Sequence, residues 1–407
     1  MTLLGKRLVK LAEIFIARIF PGLISVCALL VLSEKLPTAE YGLFSTMLAT
    51  TGLVANIFFG PVSMMILPYY AVYQEKNEGK LFEKKIWGFY GLMLAVLATA
   101  GGLLSLVWVS AFPALLVVAA LGGVACLMPL VQARIQFWRY GLVSSVQSLI
   151  FFIMVFLWVD ENYKYLEVIY FYCISCFFGI LVLYISNGFP GAKFPDKEFF
   201  STAITSGVPL TVSTLSESVL FLGFRYLILL LGRPELLGAF SLMLDLAQRA
   251  VGVVVSITSF AILPHAYRKD AQGDRANFLK TLFKGSLLSL LLALFMVFGV
   301  VVVSYAELVD SLSASNFSIA YFGIICAGLV FNRIRKMLLD PVIIKDKLSF
   351  SIPVGYVLSG SMALLAGYFA LKINIDSMFY FSYMIGYWLA ALFTLIMIGG
   401  LSRFRVR

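Results

Sequence analysis

Long apolar runs separated by short polar segments occupy almost the whole chain. A bilayer core about 30 Å thick requires about 20 apolar residues from each helix that crosses it. Runs of this length predict helices and not the roughly ten-residue strands of a membrane barrel, because a helix satisfies its own backbone hydrogen bonds in lipid. The sequence therefore predicts an all-α integral membrane protein with twelve transmembrane helices. The runs lie at about 11–33, 42–67, 86–110, 112–131, 141–159, 165–186, 203–231, 237–263, 281–305, 315–332, 348–371 and 377–400.

A segment rich in Gly and Pro at 187–195 separates the first six runs from the last six. It predicts a boundary between two lobes, residues 1–190 and 191–407, because Gly and Pro interrupt regular structure. The two halves also share an internal repeat. With an offset of 196 residues, Gly42–Leu48 aligns with Gly238–Leu244. The two copies cross the membrane in the same direction, which predicts parallel repeats that bind cargo at their interface.

The basic residues indicate the orientation of the helices. Placing the N-terminus in the cytoplasm puts 24 of the 31 Lys and Arg residues on the inner side, 4 on the outer side and 3 within the membrane. This asymmetry follows the positive-inside rule and predicts a multi-pass protein with both termini in the cytoplasm. The net charge of +10 is therefore a topology signal, and no nucleic-acid partner is predicted.

Five charged side chains lie well inside the apolar runs, where each costs roughly 2.5–3.5 kcal/mol at the bilayer centre and usually faces a bundle interior or a wet cavity. They are Arg18, Arg225, Arg249, Glu217 and Asp245. Arginine keeps its charge when dehydrated, and its planar fork can bind two phosphate oxygens. We therefore expect Arg18, Arg249 and Arg225 to form inner, middle and outer steps of a substrate-binding path for an anion. In the alternative, Arg18 and Arg225 snorkel to the nearest head groups.

The two acids are candidates for coupling transport to a proton or sodium gradient. Asp245 and Arg249 are four residues apart on one helix face, which is the spacing of a neutralising pair. In the alternative, Arg249 contacts substrate while Asp245 positions it or accepts a proton. Glu217 has no close cation in its own helix, since Arg225 is two turns away. It is either a proton-coupling site in an apolar setting or a protonated or hydrogen-bonded packing residue.

Basic residues also cluster at helix ends on the predicted cytoplasmic side. Arg134 and Arg139 follow the fourth helix, while Arg333 and Arg335 end the tenth. Such residues are mostly topology signal, and the alternative is a cytoplasmic entrance that attracts head groups or a cargo phosphate. The sequence has no Walker A motif and no nucleophile–His arrangement, and its five cysteines lie in apolar runs as packing thiols. We predict a transporter and not an enzyme, with no metal site and no cofactor besides an ion gradient.

The segment Glu34–Ser45 reads EKLPTAEYGLFS, and a degenerate copy lies at 231–241. It resembles the LSPEEYGLFS hinge of the polysaccharide-export branch of the multidrug/oligosaccharidyl-lipid/polysaccharide (MOP) superfamily. Length and the six-plus-six organisation resemble the O-antigen flippases (Wzx type) over the whole chain. The resemblance implies two six-helix lobes around a central cavity, as in MATE transporters. It also implies a cargo of undecaprenyl-pyrophosphate-linked oligosaccharide, moved from the cytoplasmic to the periplasmic leaflet of a bacterial inner membrane, with other polysaccharide-assembly membrane proteins as partners.

Two other functions fit an all-helical membrane chain. A MATE-like exporter of drugs or other small molecules needs an acidic, aromatic cavity for organic cations, whereas the intramembrane arginines here equal or outnumber the acids. A membrane O-antigen polymerase or ligase needs a sizeable periplasmic loop for chemistry on sugars, and each outer connection here has about ten residues or fewer. The balance of intramembrane charge therefore favours the flippase hypothesis.

Overall fold

Twelve helices contain nearly all of the residues that the structure describes. The structure is a computed structural model, and it describes residues 3–107, 111–134, 136–188, 191–271, 274–305, 318–338 and 351–405. The helices are α1 (Leu3–Lys35), α2 (Thr38–Glu75), α3 (Gly79–Leu104), α4 (Ala111–Ala133), α5 (Phe137–Trp158), α6 (Tyr165–Ser186), α7 (Lys197–Leu230), α8 (Pro234–Ala271), α9 (Arg275–Tyr305), α10 (Ile319–Leu338), α11 (Ser351–Lys372) and α12 (Asp376–Arg405). The prediction of an all-α protein with twelve helices is confirmed.

Within the described ranges, eleven of these helices are long and apolar enough to cross a membrane. The other helix, α10, carries Arg333, Arg335 and Lys336 in its last two turns, and these charges shorten its apolar run. Some helices exceed the bilayer: α2 and α8 have 38 residues each. At 1.5 Å per residue such a helix is about 57 Å long, so it extends well beyond the hydrocarbon core. The chain is a multi-pass helical membrane protein.

The helix α7 has three parts: Lys197–Thr202 is α-helical, Ala203–Gly207 is a π-helical turn, and Val208–Leu230 is α-helical. Asp196 caps its start, because the carboxylate accepts a hydrogen bond from the backbone N–H of Phe199 at 3.0 Å. The same carboxylate forms an ion pair with Lys85 of α3 at 2.6 Å. The π-helical turn packs so closely on α2 that a Cβ on Gly207 would lie 1.8 Å from the carbonyl oxygen of Pro61. Only glycine fits there.

The residue contacts divide the chain into two compact units. The C-terminal unit comprises Met1–Gly22, Leu29–Thr46 and Ser216–Arg407, and the N-terminal unit comprises Leu23–Ala28 and Met47–Leu215. The C-terminal unit thus includes the start of α2, and the N-terminal unit includes the first half of α7. The two lobes of the sequence analysis are defined by the Gly/Pro-rich segment at 187–195 and not by contacts, and their boundary after residue 190 stays a prediction.

An aromatic cluster fixes three helices of the C-terminal unit beside the charged residues described below. Phe224 of α7 lies 5.2 Å from Tyr383 of α12, edge to face, as ring centroids are measured. Phe240 of α8 packs on Tyr383 at 5.5 Å and on Phe379 at 5.5 Å. Edge-to-face pairs of this kind add about 0.5–1.5 kcal/mol each beyond the area that they bury. The backbone next to Phe224 is therefore firmly held, which positions Arg225.

Candidate functional site

A buried cluster in the C-terminal unit joins α2, α7 and α8 around the carboxylate of Asp245, and we call it the Asp245 clasp. One oxygen accepts hydrogen bonds from the hydroxyl of Ser45 and, at 3.2 Å, from that of Tyr41. The other oxygen accepts from Nη2 of Arg225 at 2.6 Å. Nη1 of Arg225 donates to the backbone carbonyl of Ser45 at 2.9 Å. The guanidinium is almost fully buried, with 2% of the residue exposed.

Two glycines bring α2 and α8 close enough for the clasp to form. A Cβ on Gly42 would lie 2.7 Å from the backbone nitrogen of Gly238, and a Cβ on Gly238 would lie 2.0 Å from the carbonyl oxygen of Thr38. Gly42 and Gly238 are the equivalent first positions of the internal repeat. Ser45 stands one turn beyond this crossing and Asp245 two turns beyond it, so both side chains reach the same space.

The structure does not form the Asp245–Arg249 pair that the i, i+4 spacing indicates. Asp245 instead takes its cation from α7, because the buried Arg225 and two hydroxyls of α2 converge on its face of α8. Arg249 is half-buried, and it makes no ion pair or hydrogen bond with the part of the chain that the structure describes. It stands one turn along α8 from Asp245, so it lies beside the clasp.

Arg18 lies on a helix that packs directly on the helix of Arg249. A Cβ on Gly22 of α1 would be 2.6 Å from a methyl group of Val253 of α8. The two helices are antiparallel, because α1 ends next to the start of α2, which crosses the start of α8. Arg18 is one turn before Gly22, and Arg249 is one turn before Val253. Because the helices run in opposite directions, these two turns add, and the arginines are separated by about 12 Å along the helix axes. The Asp245 clasp lies about 6 Å farther on, one turn beyond Arg249. Along these axes the order is therefore Arg18, Arg249 and Arg225, and their roles as inner, middle and outer binding steps stay a prediction.

A second buried cluster, the Glu217 network, joins α7, α10 and α11 in the same unit. Glu217 forms an ion pair with Lys336 and accepts a hydrogen bond from the amide of Asn332 at 2.7 Å. The Asn332 amide oxygen accepts from the hydroxyl of Tyr356. That hydroxyl also accepts from Nη2 of Arg335 at 2.9 Å, and the Arg335 guanidinium lies 4.9 Å from the centre of the Tyr356 ring.

The Glu217 network corrects the sequence analysis in two respects. The expectation of an apolar setting for Glu217 is wrong, since a lysine and an amide contact its carboxylate. Arg335, an entrance candidate at the end of α10, has only 3% of the residue exposed and packs on Tyr356, so it is not open to head groups. Arg333 is half-buried. Sequence reasoning missed Asn332, Lys336 and Tyr356 as partners. The only signal for Lys336 was its place in the basic end of α10.

The other two entrance candidates belong to a cluster in the N-terminal unit. Arg134 donates from Nε to Glu83 of α3 at 2.5 Å and from Nη1 to the Asn187 side chain at 2.9 Å. Arg139 donates to the same Asn187 oxygen at 3.1 Å. Glu83 is buried and also accepts from the hydroxyl of Tyr70 at 2.9 Å. Arg134 and Arg139 therefore tie helix ends together, and their role as an entrance for head groups or cargo stays a prediction.

Among the described residues, no group of three or more His, Cys, Asp and Glu side chains is placed to hold a metal ion. The five cysteines are free thiols, and four of them are buried. The charged clusters are thus built from hydrogen bonds and ion pairs. Such clusters can bind charge, exchange partners and transmit a change from one helix to another.

No family model matches the chain, and no curated protein is significantly similar to it in sequence. Solved structures are similar in fold. A MATE in complex with MaD5 matches with a TM-score of 0.60 and 13% identity, over 97% of this chain and 95% of that one. A multidrug resistance MATE family transporter of the MOP superfamily matches in its outward-facing conformation with a TM-score of 0.57, 13% identity and coverage of 97% and 96%. The inward-facing conformation of such a transporter matches with a TM-score of 0.55, 13% identity and coverage of 97% and 94%. The chain therefore has the fold of the MATE transporters of the MOP superfamily.

Proposed function

We propose that this protein is a transporter of an anionic, lipid-linked cargo. The cargo is an undecaprenyl-pyrophosphate-linked oligosaccharide, an O-antigen repeat unit or a similar surface polysaccharide, and it moves from the cytoplasmic to the periplasmic leaflet of a bacterial inner membrane. The MATE-like fold supports transport. The hinge sequence at Glu34–Ser45 supports the polysaccharide-export branch. Other polysaccharide-assembly membrane proteins are the expected partners.

Both intramembrane acids are already in ion pairs, and this observation favours an anionic cargo. Glu217 is paired with Lys336, and Asp245 is paired with Arg225. An exporter of organic cations needs a carboxylate that is available to its substrate, because a buried cation must be paired. Arg249 has no ion pair within the described ranges and remains available to an anion.

The order of the arginines suggests a path for the pyrophosphate. It meets Arg18 first, then Arg249 about 12 Å farther along the axes of α1 and α8, and then Arg225 about 6 Å beyond. A planar guanidinium can hold two phosphate oxygens at each step. If a proton or sodium gradient drives transport through Glu217 or Asp245, the coupling ion has to displace the basic partner of that carboxylate.

A second candidate function is export of small molecules, because the structures with this fold include multidrug resistance transporters. The two functions differ in the sign of the charge that they handle. Loss of Arg249 abolishes an anion path, whereas it leaves the export of an organic cation unchanged or improved.

Complementation tests the proposal. A host that makes a defined O-antigen is deprived of its flippase and given the wild-type chain, Arg18→Ala, Arg249→Ala or Arg249→Lys. Lys280→Ala serves as the matched control, since Lys280 is an exposed cation on α9. We expect wild type and the control to restore surface polysaccharide and both alanine variants to lose it at normal expression. Rescue by lysine points to charge, and failure of lysine points to the guanidinium fork.

Two outcomes count against the flippase. Full activity of both alanine variants refutes the anion path. Resistance to an organic cation conferred by wild type and retained by Arg249→Ala favours the exporter. Because sugar specificity differs between flippases, a negative result with wild type is repeated in the chain's own host with its own polysaccharide.

A further inference from the structure

The donors of the Asp245 clasp match a phosphate group as well as they match a carboxylate. We propose that Tyr41, Ser45 and Arg225 form a phosphate-binding site in which the Asp245 carboxylate is an intramolecular occupant that the cargo displaces. The inference deepens the proposed function and rests on its anionic cargo. It names the last binding site on the path and the event that opens it.

The donor set is the first observation that supports this site. Three donors from two helices, the hydroxyls of Tyr41 and Ser45 and the Nη2 of Arg225, all point to one carboxylate. Hydroxyls and a guanidinium are donors that phosphate oxygens accept readily. The carboxylate itself is the least buried part of the clasp, with 18% of its side chain exposed against 2% for Arg225. It can therefore leave while its donors stay.

An unused donor is the second observation. Nε of Arg225 is buried and donates to none of the residues that the structure describes. Nε and Nη2 form one edge of the guanidinium, and Asp245 occupies only Nη2. A phosphate that accepts from both nitrogens makes the bidentate contact that the carboxylate leaves incomplete. An incoming phosphate thus gains a hydrogen bond that Asp245 does not make.

The position of Arg249 is the third observation. It is one turn beyond Asp245 on α8, about 6 Å along the axis, and it has no ion pair among the described residues. A displaced Asp245 can turn toward Arg249, at the i, i+4 spacing of a helical ion pair. A diphosphate can also place one phosphoryl group on the clasp donors while the other stays on Arg249. In the first case the carboxylate gains a new cation, and in the second case both arginines serve the diphosphate.

Displacement has a structural consequence. Among the described residues of α8, Asp245 is the group that accepts hydrogen bonds from the hydroxyls of Tyr41 and Ser45. When phosphate takes those donors, the hydrogen bonds between α2 and α8 are replaced by bonds to the cargo. The crossing then keeps its packing contacts at Gly42 and Gly238 and loses these hydrogen bonds. Cargo binding and release of this contact are thus one step.

Anion rescue of purified protein tests the site without transport. Asp245→Ala removes the occupant and leaves the buried guanidinium without its acid, which is strongly destabilising. We expect the apparent Tm in phosphatidylcholine nanodiscs to fall by several degrees. Inorganic pyrophosphate should restore most of the loss, whereas acetate and chloride at equal ionic strength should not. The double variant Arg225→Ala/Asp245→Ala is the control, and pyrophosphate should leave its Tm unchanged.

The outcomes separate the alternatives. Rescue by acetate as good as that by pyrophosphate, or no rescue at all, overturns the site. Rescue by phosphatidylglycerol nanodiscs without added anion assigns it to membrane head groups and overturns the cargo assignment. If Asp245→Ala does not fold, Asp245→Asn decides, because it keeps the shape and should gain more Tm with pyrophosphate than wild type, in which the anion first has to displace the carboxylate. If pyrophosphate does not rescue the Asp245 variants, the flippase proposal still stands on Arg18 and Arg249. If complementation fails, the binding of pyrophosphate to the purified protein remains valid.

Discussion

Substitution of Gly238 by alanine tests whether the crossing of α2 and α8 depends on the absence of a side chain. The new Cβ would lie 2.0 Å from the carbonyl oxygen of Thr38, about 1 Å closer than atoms of this kind tolerate. That oxygen belongs to the backbone, so the helices have to separate. Overpacking of a tight contact costs typically 1–3 kcal/mol, and a backbone neighbour places this case at the upper end of that range.

Gly252 provides a matched control on the same helix. A Cβ at that position meets nothing within 4 Å. Replacing a glycine by alanine within a helix gains about 0.5–1 kcal/mol when space is available. The two variants should therefore differ in stability by about 1.5–4 kcal/mol, with Gly252→Ala at or above wild type and Gly238→Ala below it.

The assay is the apparent Tm of detergent-purified protein, with monodispersity on size exclusion as a check that each variant folds. A difference of several degrees between the two alanine variants is expected. Equal Tm values for Gly238→Ala and Gly252→Ala would refute the reasoning, because they would mean that the two helices separate at no cost. The Asp245 clasp would then need another explanation for its geometry.

Three further predictions concern other parts of the chain. Glu217→Ala should destabilise the C-terminal unit by about 2–4 kcal/mol, slightly less than the loss of one partner from a fully buried ion pair. The double variant Glu217→Met/Lys336→Met should recover much of this stability, as measured by chemical denaturation. The hydrogen bond from Lys85 lowers the pKa of the Asp196 carboxyl in the folded protein. The charged carboxylate therefore stabilises the fold at every pH above the pKa that Asp196 has in the unfolded chain. This stabilisation disappears as the pH falls through the lower pKa of the folded protein. Asp196→Asn should thus lower the apparent Tm slightly at pH 7 and match wild type in acid. A small maleimide should label the exposed Cys27 of the folded protein in detergent and reach the four buried thiols only after unfolding, as mass spectrometry would show.

Each of these has a contrary result. A double variant at Glu217 and Lys336 that is no more stable than the single variant would show that packing, and not charge, governs that site. A Tm deficit of Asp196→Asn that persists at low pH would mean that the side chain acts through shape. Labelling of more than one thiol before unfolding would show that the described burial is not maintained in detergent.

The helices could be predicted from hydropathy, whereas the partners of the intramembrane charges could not. Apolar runs of about 20 residues constrain each helix separately, and the repeat further aligned Gly42 with Gly238. The pairing of Asp245 with Arg225 depends on how α7 packs on α8, and the pairing of Glu217 with Lys336 joins residues 119 positions apart. Spacing along one helix offers only an i, i+4 candidate, so the sequence predicts Arg249 as the partner of Asp245. In the structure the packing of α7 on α8 brings Arg225 to Asp245 instead.

The crossing of Gly42 and Gly238 brings a residue into contact with its own equivalent in the other copy of the repeat. Contacts between equivalent residues are typical of two-fold symmetry. If each half were a separate chain, the same contact would form the interface of an isologous dimer, with the same glycine on both sides. In that dimer every substitution would appear twice. One continuous chain removes this restriction, so Asp245 stands where the other copy has Ala49. The shared glycines preserve the symmetric joint, while the acid and its clasp exist on one side alone.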